Sequence, residues 1–129
     1  MSKICTDLEQ SRKLVELGIE PNTADMLWGY YYNGENHCVP NIRPFRDARN
    51  EIPNGYSPAW SLSALLELMP KIRVAAPIIV KALLEEKYYC HYQGIGTFKE
   101  VYTTTFHEEP TDAAFEMVVW LLENGYISQ

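Results

Sequence analysis

The sequence predicts a single α+β domain over residues 1–129, with an antiparallel sheet of about four strands, three helices, and the C-terminal helix packed on the sheet. Three observations carry this. Apolar residues near the C-terminus recur at helical spacing, aromatic and β-branched stretches flank glycine turns, and 129 residues is the length of one domain. A chain that is 47% hydrophobic and 12% aromatic can bury roughly two-thirds of the surface its unfolded form exposes, which excludes global disorder.

The first element is a helix from about Asp7 to Leu17. Thr6-Asp7-Leu8-Glu9 reads as a capping box, the Thr6 hydroxyl taking the Glu9 N–H and the Glu9 carboxylate reaching back. Leu8, Leu14, Val15 and Leu17 form its apolar side, and Gly18 followed by Pro21 ends it. Ala24 to Tyr32 is aromatic-rich and reads as a strand closed by Asn33-Gly34. Pro40, Pro44, Pro53 and Pro58 then make a long Pro/Gly-containing loop at about 33–58, with room for one short strand or turn of helix.

Ser61 caps a second helix whose Leu62, Leu65, Leu66 and Met69 form one stripe, and Pro70 stops it. Periodicity leaves Ile72 to Tyr92 open: Ile78, Ile79, Ala82 and Leu83 fit a helix, whereas Ile78, Val80, Ala82 and Leu84 fit one face of a strand. A meander is favoured, with Ile78 to Leu84 as its first strand. Tyr88 to Tyr92 and Val101 to Phe106 are its next two strands, joined by a turn at Gly94 to Lys99. That turn holds one G-x-G, but it lacks a third glycine and opens no helix, so it is a hairpin and not a phosphate cradle. Ala113, Ala114, Met117, Val118, Leu121 and Leu122 mark the third helix, capped by Thr111 or Asp112 and ended by Gly125.

A formal charge of -6 argues against nucleic acid as a partner. The absence of an apolar leader or a span of roughly 20 apolar residues argues against export and membrane insertion. Three widely spaced cysteines, Cys5, Cys38 and Cys90, read as thiols in a reducing cytoplasm.

His37-Cys38 and Cys90-His91 have the wrong spacing for zinc, and neighbours on a strand project to opposite faces. No metal or cofactor is expected. Glu85-Glu86 and Glu108-Glu109 read as solvated strand edges. Two features point to binding. Arg43, Arg46 and Arg49, with Phe45 among them, place guanidinium forks and a stacking ring in the long loop, and Asp47 and Glu51 beside them allow the alternative of a self-neutralised surface loop. The aromatic set that includes Trp28, Tyr30, Tyr32 and Tyr89 exceeds what one core hides, so part of it faces outward.

Pro58-Ala59-Trp60-Ser61-Leu62, with Leu65-Leu66 and Met69-Pro70, and Thr111 to Met117 resemble landmarks of a family of small uncharacterised proteins encoded by gut anaerobic bacteria and their phages or mobile elements. Glu9-Gln10-Ser11 and Ala24-Asp25-Met26 are similar too. The resemblance implies an α+β domain with an extended middle segment, and it brings no activity or catalytic residues. The expectation is a non-enzymatic, cytoplasmic adaptor that contacts another protein or a second copy of itself. The rival readings are a small enzyme, with His91 or His107 as base near Glu108 or Glu109, and a homo-oligomeric structural protein.

Overall fold

Local side-chain chemistry sets the helix ends in the computed structural model, which describes residues 3–30, 36–40, 57–72, 75–82, 86–93 and 102–127, with the backbone alone at Tyr30, 36–40 and Gln93. Helix α1 spans Leu8–Glu16, and its capping box sits one residue later than the sequence predicts: Asp7 accepts from the Gln10 N–H while Gln10 accepts from the Asp7 N–H. Thr6 does not cap, because its hydroxyl is buried and bonded to Ser11 and to the Trp60 N–H. At the other end Gly18, at φ 104°, lets the Ile19 and Gly18 N–H groups return to the Leu14 and Val15 carbonyls. That closure needs a left-handed residue, and it seats Ile19 beside Leu14 in the core.

After a 3-10 turn at Pro21–Thr23 come β1 (Met26–Tyr30), β2 (Asn36–Pro40) and β3 (Ser57–Ala59), an antiparallel sheet in the order β2-β1-β3. The predicted long loop therefore carries a strand at each end. The prolines do not forbid this because Pro40 and Pro58 stand on the edge strands, where a missing N–H is tolerated. The connection 41–56 and the Asn33-Gly34 turn lie outside the described residues.

Helix α2 (Leu62–Leu68) begins as expected at Ser61, whose hydroxyl accepts from the Ala64 N–H while Asp25 binds the Ser61 N–H and hydroxyl. Strands β4 (Ala76–Ala82) and β5 (Lys87–Gln93) pair antiparallel, with Ile79 opposite Cys90. The segment from Ile78 is thus extended, and its last expected residues, Leu83 and Leu84, are outside the described residues, as is the Gly94 to Lys99 turn.

The third strand of the meander is only fragmentary among the described residues. Residues 102–107 touch β5 through two isolated bridges, Tyr88 with His107 and His91 with Thr103. Three steps separate the β5 partners and four separate theirs, so the register slips by one residue, as in a bulge. Thr104 bridges the slip: its N–H donates to the Cys90 carbonyl and its hydroxyl accepts from the Cys90 N–H, both at 2.9 Å.

Helix α3 (Pro110–Glu123) starts before the predicted caps, with Pro110 in its first turn, where a missing N–H costs nothing. Gly125, at φ 78°, ends it as predicted, with the Tyr126 and Gly125 N–H groups on the Leu121 and Leu122 carbonyls. Its buried side contacts β5, α2 and β4, while α1 contacts β3. Among the described residues the protein is thus α+β, with three helices and the C-terminal helix on a sheet, and its strands divide between a three-stranded and a two-stranded sheet. One cluster that includes Leu14, Trp60, Leu65, Tyr92, Met117 and Leu121 packs the three helices against the β4–β5 sheet.

Candidate functional site

Strand pleat decides which β5 residues look outward. Cys90 and Tyr92 are buried in the core cluster and Tyr88 packs against it, so Tyr89 and His91 take the opposite face. Ile78 and Val80, paired with His91 and Tyr89, share that face. Residues 102–107 add Phe106, which is 53% exposed and meets Tyr89 edge-on at 5.5 Å between ring centres. His91 also lies 5.5 Å from Tyr89 between ring centres. Tyr89, His91, Thr103, Thr104 and Phe106 line an open depression of about 390 Å³.

The residues on either side of Phe106, Thr105 and His107, are held by a charged hub. Glu116, on α3, accepts from Tyr102 Oη, Thr105 Oγ1 and His107 Nε2, each at 2.8 Å, and from the Thr105 N–H at 3.3 Å. A carboxylate only accepts, so the protonated imidazole nitrogen toward Glu116 is Nε2. Burial raises the Glu116 carboxyl, but the bonds from His107, Thr105 and Tyr102 outweigh it and hold the group below its ordinary value. The Tyr102 hydroxyl is pushed up, first by its bond to Glu116 and then by burial.

One ridge of α3 fastens other segments at intervals of four. Asp112 binds the Lys3 ammonium at 2.7 Å and the Gln10 amide at 2.8 Å. Burial raises Asp112, yet these bonds hold it below the ordinary value, while Lys3, lowered by burial, ends above its own through Asp112. Glu116 fastens 102–107, and Trp120 stacks between Tyr102 at 4.6 Å and Tyr126 at 5.5 Å.

The remaining sequence-predicted site residues are not brought into this group. Trp28 stands on the other sheet, its indole N–H on the Thr6 carbonyl at 2.8 Å, and it lines a shallow cleft with Asp7, Leu8 and Glu9. Arg43, Phe45, Arg46 and Tyr32 lie outside the described residues, as does the side chain of Tyr30. The acid–base pairing expected for His107 takes a different carboxylate: Glu116, and not Glu108 or Glu109, faces it, while Glu109 accepts the Lys3 N–H. Cys90 and His91 do face opposite ways, and burial together with the Glu116 charge pushes the Cys90 thiol up to about 12, which leaves it protonated and unreactive at neutral pH.

Sequence reasoning missed Tyr102, Thr105, Glu116 and Tyr126. The available signal was Asp112, Glu116 and Trp120 at i, i+4 and i+8, a polar ridge beside the apolar stripe. Among the described residues no group of three or more His, Cys, Asp or Glu could hold a metal ion, and no helix is long and apolar enough to cross a membrane. Compared with known proteins, the chain matches no family model, no curated protein and no solved structure.

Proposed function

We propose that this chain is a non-enzymatic protein-binding module of the cytoplasm whose contact face is the outer side of the β4–β5 ribbon. The observation that carries the reading is Phe106: a large ring, 53% exposed, set edge-on against Tyr89, with both chain neighbours, Thr105 and His107, bonded to Glu116. An aromatic anchor that keeps its position before binding loses little conformational freedom when it docks. Ile78 and Val80 extend the apolar surface around it.

One further observation supports binding over catalysis at this face: the depression beside Tyr89 is open where an enzyme site is normally a closed pocket. The buried free thiol of Cys90 supports a reducing compartment. The resemblance of Pro58 to Leu62 and Thr111 to Met117 to the gut-anaerobe family adds a phage or mobile-element setting to the proposal.

The test is selection of binders from a displayed random-peptide library on the wild-type protein, followed by affinity measurement on Phe106→Ser. A hot-spot ring predicts a loss of roughly thirtyfold with the fold intact by circular dichroism. Binders indifferent to Phe106→Ser and Tyr89→Ser would contradict the reading.

A further inference from the structure

The cleft between α1 and α3 shares no lining residue with the depression beside Tyr89 and has a separate chemistry. It measures about 410 Å³, within the range of small-ligand sites, is as open as the depression beside Tyr89, and has Phe115 and Val119 as its apolar wall. Its polar lining sorts into groups already satisfied and groups with capacity left. Asp112 is taken by Lys3 and Gln10, and Gln10 is itself fastened at both ends, to the Asp7 N–H and to Asp112. Glu116 is filled by the donors of 102–107.

Two polar groups keep capacity. Lys13 forms no ion pair among the described residues, although Glu9 and Glu16 line the adjoining cleft with it. His107 commits Nε2 to Glu116, so in the neutral imidazole Nδ1 is the lone-pair nitrogen, and among the described residues it has no hydrogen-bond partner. The cleft therefore offers one cation, one acceptor that needs a donor, and an apolar wall beside them.

We propose that this cleft binds a small hydroxycarboxylate with an apolar body, its carboxylate on Lys13, its hydroxyl donating to His107 Nδ1, and its apolar part against Phe115 and Val119. A carboxylate without the hydroxyl leaves Nδ1 unmatched, and an alcohol without the carboxylate leaves Lys13 unmatched. Asp112 is offset by the Lys3 ammonium, while Glu116 keeps its charge among neutral donors, so Lys13 holds the carboxylate against that charge.

The test uses mandelate as the probe, titrated into the full-length 15N-labelled protein, with phenylacetate and benzyl alcohol as the two one-group comparisons. Mandelate should move the Phe115 and Val119 amides and the His107 ring nitrogens saturably, and bind roughly tenfold more tightly than either comparison. Lys13→Gln, on an exposed helix position, should keep the fold and weaken mandelate roughly tenfold. Long-range 15N–1H correlation should show the proton of His107 on Nε2. Equal affinity for all three probes, no saturable shift up to about 10 mM, an unchanged affinity in Lys13→Gln, or a proton on Nδ1 would each overturn the proposal.

Discussion

Two polar hubs tie helices to extended segments, and they are built from opposite materials. At the start of α1, Thr6 joins Ser11, Trp60 and Trp28 through neutral hydrogen bonds, and Thr6, Ser11 and Trp60 are fully buried. On α3, Glu116 gathers Tyr102, Thr105 and His107 around a charge, and the His107 and Glu116 side chains stay 27% and 25% exposed. A neutral hub can be sealed because no ion has to be desolvated. A charged hub keeps water access, which leaves it titratable and next to surfaces that a partner or ligand can reach. The difference teaches where the fold is simply held and where it is held in a way that conditions can alter.

Substitutions should separate the two. Removing the ring that the neutral hub secures, Trp60→Ala, should destabilise most, by about 3–5 kcal/mol, from the cavity and lost burial, read by urea unfolding. Thr6→Val keeps the shape but strands the buried Trp60 N–H and the Ser11 hydroxyl, a loss of about 1–3 kcal/mol that should not change between mildly acid and neutral pH. Glu116→Gln should cost about 1–2 kcal/mol at neutral pH, and that loss should fade in acid. The sign follows from the carboxyl lying below its ordinary value in the fold. Its contribution is complete above the unfolded value, about 4.3, and is lost as pH falls through the lower folded value. Smallest of all, Gly125→Ala should cost about 1 kcal/mol, since φ of 78° disfavours a Cβ although nothing lies within 4 Å of one.

The same contrast explains how much of the molecule is legible in its sequence. Helix α2 is fully announced, because Ser61, the Leu62 to Met69 stripe and Pro70 are local signals. The ends of α3 divide: Gly125 marks one, while Pro110 moves the other upstream of Thr111. Strands β2 and β3 are hidden by prolines whose tolerance depends on being at sheet edges, which is a tertiary fact. The aromatic count correctly raises the question of an outward face, and the alternation along β5 puts Tyr89 there. Of the hub, only the ridge of Asp112, Glu116 and Trp120 is legible. The donors of Glu116 lie 9 to 14 residues away, and a one-residue register slip on β5 governs how they approach.

The most direct measurement is unfolding free energy against pH, from about 3 to 7, for the wild type, Thr6→Val and Glu116→Gln. The account predicts a constant gap between wild type and Thr6→Val, and a gap to Glu116→Gln that closes as pH falls below the ordinary carboxylate range. Two gaps that run parallel over the whole range would contradict it, because Glu116 would then hold residues 102–107, and with them Phe106, by packing and not by its charge.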